Sequence, residues 1–148
     1  AQHPSETLER MMVRMLAFCL NAQETLMLTK GLSTAEAPDL WAHTPDGQIA
    51  LWIDIGEPAP DRIKKATRIA QMVKVYSFNS KSNVWWMQEQ TKLNLLTASI
   101  VQFPRPDIQA LAKLVQRTMD FSVTITEESA FVATESGECE VNWIILKE

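Results

Sequence analysis

Ile49-Ala50-Leu51-Trp52-Ile53-Asp54-Ile55-Gly56-Glu57-Pro58 is the stretch that decides how this chain folds. Its apolar run, rich in Ile and carrying an aromatic ring, lies between Gly47 and Gly56 and predicts a strand. Side chains alternate along a strand, so Ile49, Leu51, Ile53 and Ile55 share one face and Ala50, Trp52 and Asp54 the other. Apolar residues on both faces predict a strand in the middle of a sheet covered on both sides. Asp54 then ends a buried strand. A buried carboxylate must be paired, hydrogen-bonded, metal-bound or protonated.

Working outward, Thr44-Pro45-Asp46-Gly47 is a turn whose Asp-Gly favours positive φ. It joins the anchor strand to an earlier one, Asp39-Leu40-Trp41-Ala42-His43, as a hairpin. Thr25 to Thr29, closed by Gly31, reads as a shorter strand before that. At the front, His3-Pro4-Ser5-Glu6 has the form of a helix start. Leu8, Met11, Met12, Met15, Leu16 and Cys19 follow as its buried stripe, with Glu9, Arg10 and Arg14 off it. Beyond Gly56, Pro60 opens a helix whose buried stripe is Ile63, Ala66, Ala70 and Val73. Val73 to Phe78 is the next strand. A strand, a helical crossover and a strand imply a parallel pair.

The remainder predicts a helix over 84–92 carrying Trp85-Trp86 and a strand over 95–103. A helix opens at Pro106-Asp107, with Ile108, Leu111, Ala112 and Val115 inward. Two-faced strands close the chain, marked by Met119, Phe121, Val123 and Ile125 and then by Val141, Trp143 and Ile145. The sequence has 148 residues, 46% hydrophobic and 22% charged, which suits one domain (1–148) with a core and excludes a disordered chain. No apolar run is long enough to cross a bilayer. The net charge of −4 argues against broad non-specific nucleic-acid binding, though a local basic patch survives within that total. Cys19 and Cys139 share no short motif and read as small hydrophobes in a reducing cytoplasm.

The chemistry-bearing constellation is Asp39 with Asp54. One begins a hairpin strand and the other ends its antiparallel partner, so the two can meet in space. Adjacent carboxylates repel unless a cation stands between them, and a hard ion such as Mg²⁺ takes one or two carboxylates plus waters and a phosphate. Such a site can polarise a phosphodiester and generate hydroxide. The plainer alternative has Asp39 capping a turn and Asp54 bonding amides near Gly56. Arg62, Lys64, Lys65 and Arg68 on the following helix could steady phosphate charge, or simply form a solvated cationic face. Glu6 or Glu9 could complete a metal site from the first helix; a cap and a surface charge explain them equally. His3 and His43 are too far apart to suggest a zinc site.

These residues resemble the YaeQ family of bacterial proteins. The resemblance is carried by His3-Pro4-Ser5-Glu6-Thr7, Glu9-Arg10-Met11-Met12, Lys30-Gly31-Leu32, Pro38-Asp39-Leu40-Trp41, Trp52-Ile53-Asp54-Ile55-Gly56-x-Pro58 and Arg62-Ile63-Lys64-Lys65-Ala66. Val75-Tyr76-Ser77-Phe78-Asn79-Ser80 and Trp85-Trp86 add to it. The resemblance implies an N-terminal β-hairpin segment, ahead of His3, that this sequence lacks. It also implies a fold of the PD-(D/E)XK nuclease superfamily: an α/β, restriction-endonuclease-like mixed sheet flanked by helices. The core order would be α-β-β-β-α-β, with a C-terminal strand-helix-strand extension.

Carried over, Asp39 matches the leading acid and Asp54 the second. The lysine expected two residues later is Gly56 here, with Lys64 or Lys65 as its natural substitute, and Glu6 or Glu9 matches a helix-borne acid. The expectation is a Mg²⁺-dependent, phosphodiester-cleaving domain with a divergent site: Asp39 and Asp54 on the metal, Lys64 or Lys65 and Glu6 assisting. Two alternatives stand beside it. One is a non-catalytic module binding nucleic acid or protein, and the other a purely structural pocket.

Overall fold

The computed structural model describes residues 8–23, 25–29, 37–115, 121–135 and 137–147. Helix α1 (Leu8–Leu20) leads into β1 (Met27–Leu28), β2 (Leu40–His43) and β3 (Ile49–Ile55). Then come α2 (Pro60–Ile69), β4 (Ala70–Ser77), α3 (Ser82–Leu93), β5 (Ala98–Gln102) and α4 (Arg105–Val115). Four strands follow: β6 (Phe121–Ile125), β7 (Ser129–Thr134), β8 (Gly137–Asn142) and β9 (Ile144–Lys147). One sheet runs β1-β2-β3-β4-β5-β9 and a smaller one β6-β7-β8. The expected order of helix, three strands, helix and strand is therefore present. His3, Glu6 and Gly31 lie outside the described residues.

The anchor strand behaves as its two apolar faces require. β3 pairs antiparallel with β2, Leu40 opposite Ile53, and parallel with β4, Asp54 opposite Val75. Gly47, at φ +89°, supplies the positive φ of the Asp-Gly turn between β2 and β3. On one face Leu51, Ile53 and Ile55 pack with Met12 and Leu16 of α1 and Ile108 and Leu111 of α4. On the other face Trp52 packs with Ile63 and Ala66 of α2, Trp85 and Leu93 of α3, and Val73 and Val75 of β4. Removing this apolar surface from water is the main force holding helices to both sides, at about 25 cal/mol per Å². Period-2 alternation puts Asp54 on the Trp52 face, toward α2.

The structure departs from the sequence expectations in several places. The buried arc of α1 is turned: Met12, Val13, Leu16 and Ala17 are buried, and so is Arg14. The helix packs against both the main sheet and α4, so its covered arc is wider than a single stripe. α2 stops at Ile69, so Ala70 and Val73 belong to β4 rather than to the helical stripe. The strand expected over 95–103 is shorter, β5, because α3 runs on to Leu93 and a turn follows. The closing segment holds more strands than the expected C-terminal strand-helix-strand extension, and they divide between two sheets. Val141 lies in β8 of the small sheet, whereas Ile144 and Ile145 are in β9, beside β5.

α4 joins the two sheets. Its Ile108 and Leu111 share one core with Ala130, Val132 and Val141 of the small sheet and with Phe103 and Trp143. Asp107 Oδ2 accepts the Asn142 backbone N–H at 3.0 Å, which fixes β8 against the start of α4.

Candidate functional site

Asp39 stands one residue ahead of β2. Extending the Leu40–Ile53 register by one step sets it across from Asp54. Its backbone N–H donates to the Ile53 carbonyl at 3.0 Å, and its own carbonyl accepts the Thr29 N–H at 3.0 Å. The Oδ2 atom accepts the Ile55 N–H at 2.8 Å, so the carboxylate rests on the peptide that follows Asp54. The two acids foreseen from the sequence are thus neighbours, at the carboxyl end of β3. Both are buried, at 5% and 3% exposure.

Each acid is held by its own arginine, from opposite sides of the sheet. Arg10 of α1 donates from Nη2 to Asp39 Oδ1 at 2.8 Å. Arg14, one helical turn on, brings Nε to 3.8 Å from the same oxygen and donates from Nη2 to the Thr29 carbonyl at 2.7 Å. Arg62 of α2 grips Asp54 with two bonds, Nε to Oδ2 at 3.0 Å and Nη2 to Oδ1 at 3.2 Å. This is the fork geometry that suits guanidinium and carboxylate. The same Nη2 donates to the Ala37 carbonyl at 2.9 Å, so Arg62 also holds the segment leading into Asp39. Its guanidinium carbon lies 5.7 Å from the centre of the Trp52 ring, a cation–π contact.

The local sequence explains how Arg62 arrives. Gly56 takes φ +112° and turns the chain away from the sheet. Pro60 then starts α2 with its fixed φ, which puts Arg62 in the first turn, beside the end of β3. Glu57, between them, clasps the end of β4: Oε2 accepts the Phe78 N–H at 3.2 Å and Oε1 accepts Asn79 Nδ2 at 2.7 Å.

Burial raises the Asp39 carboxyl above its usual range, against the opposing pull of Arg10 and the Ile55 N–H. The neighbouring Asp54 charge adds a smaller upward push. Among the described residues, Arg10, Arg14 and Arg62 give three positive charges against two negative from Asp39 and Asp54, a net of +1. A divalent ion added here would bring that to +3 among largely buried groups, so the donor set suits guanidinium rather than Mg²⁺. Among the described residues, no three His, Cys, Asp or Glu side chains converge as metal ligands.

The other residues singled out in the sequence lie elsewhere. Lys64 and Lys65 are exposed on α2 and make no ion pair with Asp54. Lys64 lines a groove of about 370 Å³ with Pro60, Asp61, Lys92, Leu95 and Leu96, between the start of α2 and the end of α3. Glu9 approaches Arg105 of α4, at 3.8 Å. The sequence offers Arg10 beside Glu9 on the first helix and Arg62 within a cationic run, but pairs neither with Asp39 or Asp54. The signals were present: Arg10 and Arg14 are four apart, hence on one helix face, and Arg62 falls in the helical turn closest to the strand end.

Comparison with known proteins fits this description. Residues 1–143 match the model of the YaeQ protein family. The chain is 35% identical over 143 residues to the YaeQ protein of Salmonella typhi, covering 95% of this chain and 79% of that one. Identity is also 35% over 144 residues of the Escherichia coli (strain K12) protein, covering 96% and 80%. The crystal structure of YaeQ protein from Xanthomonas axonopodis pv. citri superposes with a TM-score of 0.93 at 32% identity, covering 99% of this chain and 84% of that one. That of YaeQ protein from Pseudomonas syringae gives 0.92 at 32% identity, covering 100% and 83%. The chain belongs to the YaeQ family.

Proposed function

We propose that this domain is a restriction-endonuclease-like scaffold that binds nucleic acid without cleaving it. The observation that carries this reading is the closure of both acids on arginines, Asp39 on Arg10 and Asp54 on Arg62. The superfamily likeness is supported by the order α1-β1-β2-β3-α2-β4, the parallel β3–β4 pair and the placement of both acids at one end of β3. Both carboxylates are engaged by guanidiniums, and the position two residues after Asp54 is Gly56 rather than a lysine that could steady charge at a phosphodiester.

Charge distribution supports a polyanionic partner. Residues 60–95 hold seven Lys and Arg (62, 64, 65, 68, 74, 81 and 92) against Asp61 and Glu89, a net of +5 in a chain of net −4. Lys64, Lys65, Arg68, Lys81 and Lys92 are exposed. α2 and α3 cover the same face of the sheet, and Lys64 and Lys92 line one groove. A basic face within an acidic total is an electrostatic footprint for phosphates. No helix among the described residues is long and apolar enough to cross a membrane.

The test is anisotropy of labelled single- and double-stranded oligonucleotides over a salt series, with and without Mg²⁺. Binding is expected with a log–log salt slope of about −0.9 per phosphate contacted. It should be lost on combining Lys64→Glu, Lys65→Glu and Arg68→Glu, and the oligonucleotides should remain intact. Absence of binding at low salt would overturn the reading. Mg²⁺-dependent cleavage that Asp54→Asn abolishes would replace it with the nuclease reading.

A further inference from the structure

We propose that Arg10 and Arg62 are the resident cations of the acid pair, and that Arg10 in particular keeps a divalent metal out. The inference stands apart from the nucleic-acid reading, since oligonucleotide binding and metal uptake can each fail alone. Two paired carboxylates at the end of a buried strand need neutralising charge, and a metal ion or guanidiniums can each supply it. Here guanidiniums supply it. Arg10 Nη2 and the Ile55 N–H occupy one oxygen each of Asp39, at 2.8 Å in both cases. Arg62 occupies both oxygens of Asp54.

Gly56 shows how Arg10 fits in. A Cβ built on Gly56 would lie 3.4 Å from Arg10 Nη1. The guanidinium therefore passes over the backbone two residues after Asp54. A Cβ there would touch it at ordinary van der Waals distance. The cation beside position 56 is thus one delivered by α1, half-buried Arg10. In this view the missing lysine and Arg10 are one exchange: the positive charge has moved from the strand to the helix.

Arg10 is the member to remove. Arg62 is more exposed, at 30% of its side chain against 17% for Arg10, and the Asp39 that Arg10 neutralises lies on the Ile55 amide, next to Asp54. Arg10→Gln keeps a polar side chain there and removes one positive charge. Arg14, at 3.8 Å, remains near Asp39 and limits the disturbance.

The experiment titrates Mn²⁺ alone, followed by electron paramagnetic resonance, into the wild type, Asp54→Asn, Arg10→Gln and the double variant Arg10→Gln/Asp39→Asn. Circular dichroism checks that each is folded. The wild type and Asp54→Asn should be indistinguishable, any uptake being that of scattered surface carboxylates. Arg10→Gln should bind Mn²⁺ about tenfold tighter or more, because a divalent ion is no longer repelled at contact distance by a half-buried charge. Adding Asp39→Asn should abolish the gain. Wild-type binding that Asp54→Asn removes would overturn the proposal, and so would a folded Arg10→Gln that binds no better than the wild type. Where Arg10→Gln fails to fold, Arg10→Met, which also removes the charge, takes its place with the same expectation, and the wild-type comparison decides independently.

Discussion

Arg10 Nη1 lies 3.4 Å from the point at which a Cβ on Gly56 would sit. The guanidinium therefore packs over the glycine at ordinary van der Waals distance, although one turns the chain out of β3 and the other projects from α1. Gly47 provides a control, since it also has positive φ, +89°, but a Cβ there would meet nothing within 4 Å. Gly47→Ala should cost the backbone strain alone, about 1 kcal/mol. Gly56→Ala should cost more, up to about 3 kcal/mol, because φ +112° lies farther from the left-handed helical region than +89° does. Urea unfolding of the two variants checks this, and equal losses would show that the two turns tolerate a Cβ equally.

The Asp54–Arg62 pair is asymmetric in burial, at 4% and 30% side-chain exposure, and its two halves should differ in cost. Arg62→Gln strands a buried carboxylate and is expected to destabilise by about 3 kcal/mol. Asp54→Asn leaves an arginine that reaches water and retains the Ala37 carbonyl, and should cost roughly half as much. Denaturant midpoints of both variants decide it, the reverse order being incompatible with this geometry.

Asp39 gives a pH dependence of definite sign. Its folded-state pKa is raised by burial above the unfolded value, so the native state binds the proton more tightly than the unfolded chain does. Its contribution to stability is therefore fully present below the unfolded pKa and lost as pH rises through the folded pKa. Asparagine at this position does not titrate. The stability of the wild type relative to Asp39→Asn should fall as pH is raised from about 3 through that value. Urea unfolding of both proteins across this window measures it, and a relative stability that rises with pH would contradict the burial argument.

Phe103 ties the main sheet to the closing segment. Its ring stacks on Tyr76 with centroids 5.6 Å apart and meets Trp143 edge-on at 6.0 Å. At 1% exposure it is among the largest fully buried side chains. Phe103→Ala should cost about 3–5 kcal/mol and shift the tryptophan emission as Trp143 loses its neighbour. A loss under about 1 kcal/mol would mean that the two sheets do not share one core.

Tyr76 and Phe103 also show where sequence reading reaches its limit. The pattern Ile49 to Ile55 identified a doubly covered strand, because alternating positions were apolar on both faces, and the helices on its two sides followed. β7 escaped notice because Ser129-Ala130-Phe131-Val132-Ala133-Thr134 places small or apolar residues on both faces, so inward Ala130 and Val132 do not contrast with outward Phe131 and Ala133. The partition of the closing strands between two sheets depends on α4 wedging its Ile108 and Leu111 among Ala130, Val132 and Val141. That contact has no local signature.

Local pattern and turn chemistry by themselves determined the order of the first six elements, the hairpin at Asp46-Gly47, and the meeting of Asp39 with Asp54 at one end of β3. These depend on period, on antiparallel geometry and on φ, all of which act within a few residues. What neutralises the two acids was decided only in three dimensions. Arg10 lies 29 residues from Asp39 in the chain, and it reaches that carboxylate because α1 is laid on the Leu51–Ile53–Ile55 face by apolar packing. Arg62 reaches Asp54 from the opposite layer, because α2 returns over Trp52. Charge pairing between layers is set by how the layers are stacked, and the spacing of residues along the chain does not record it.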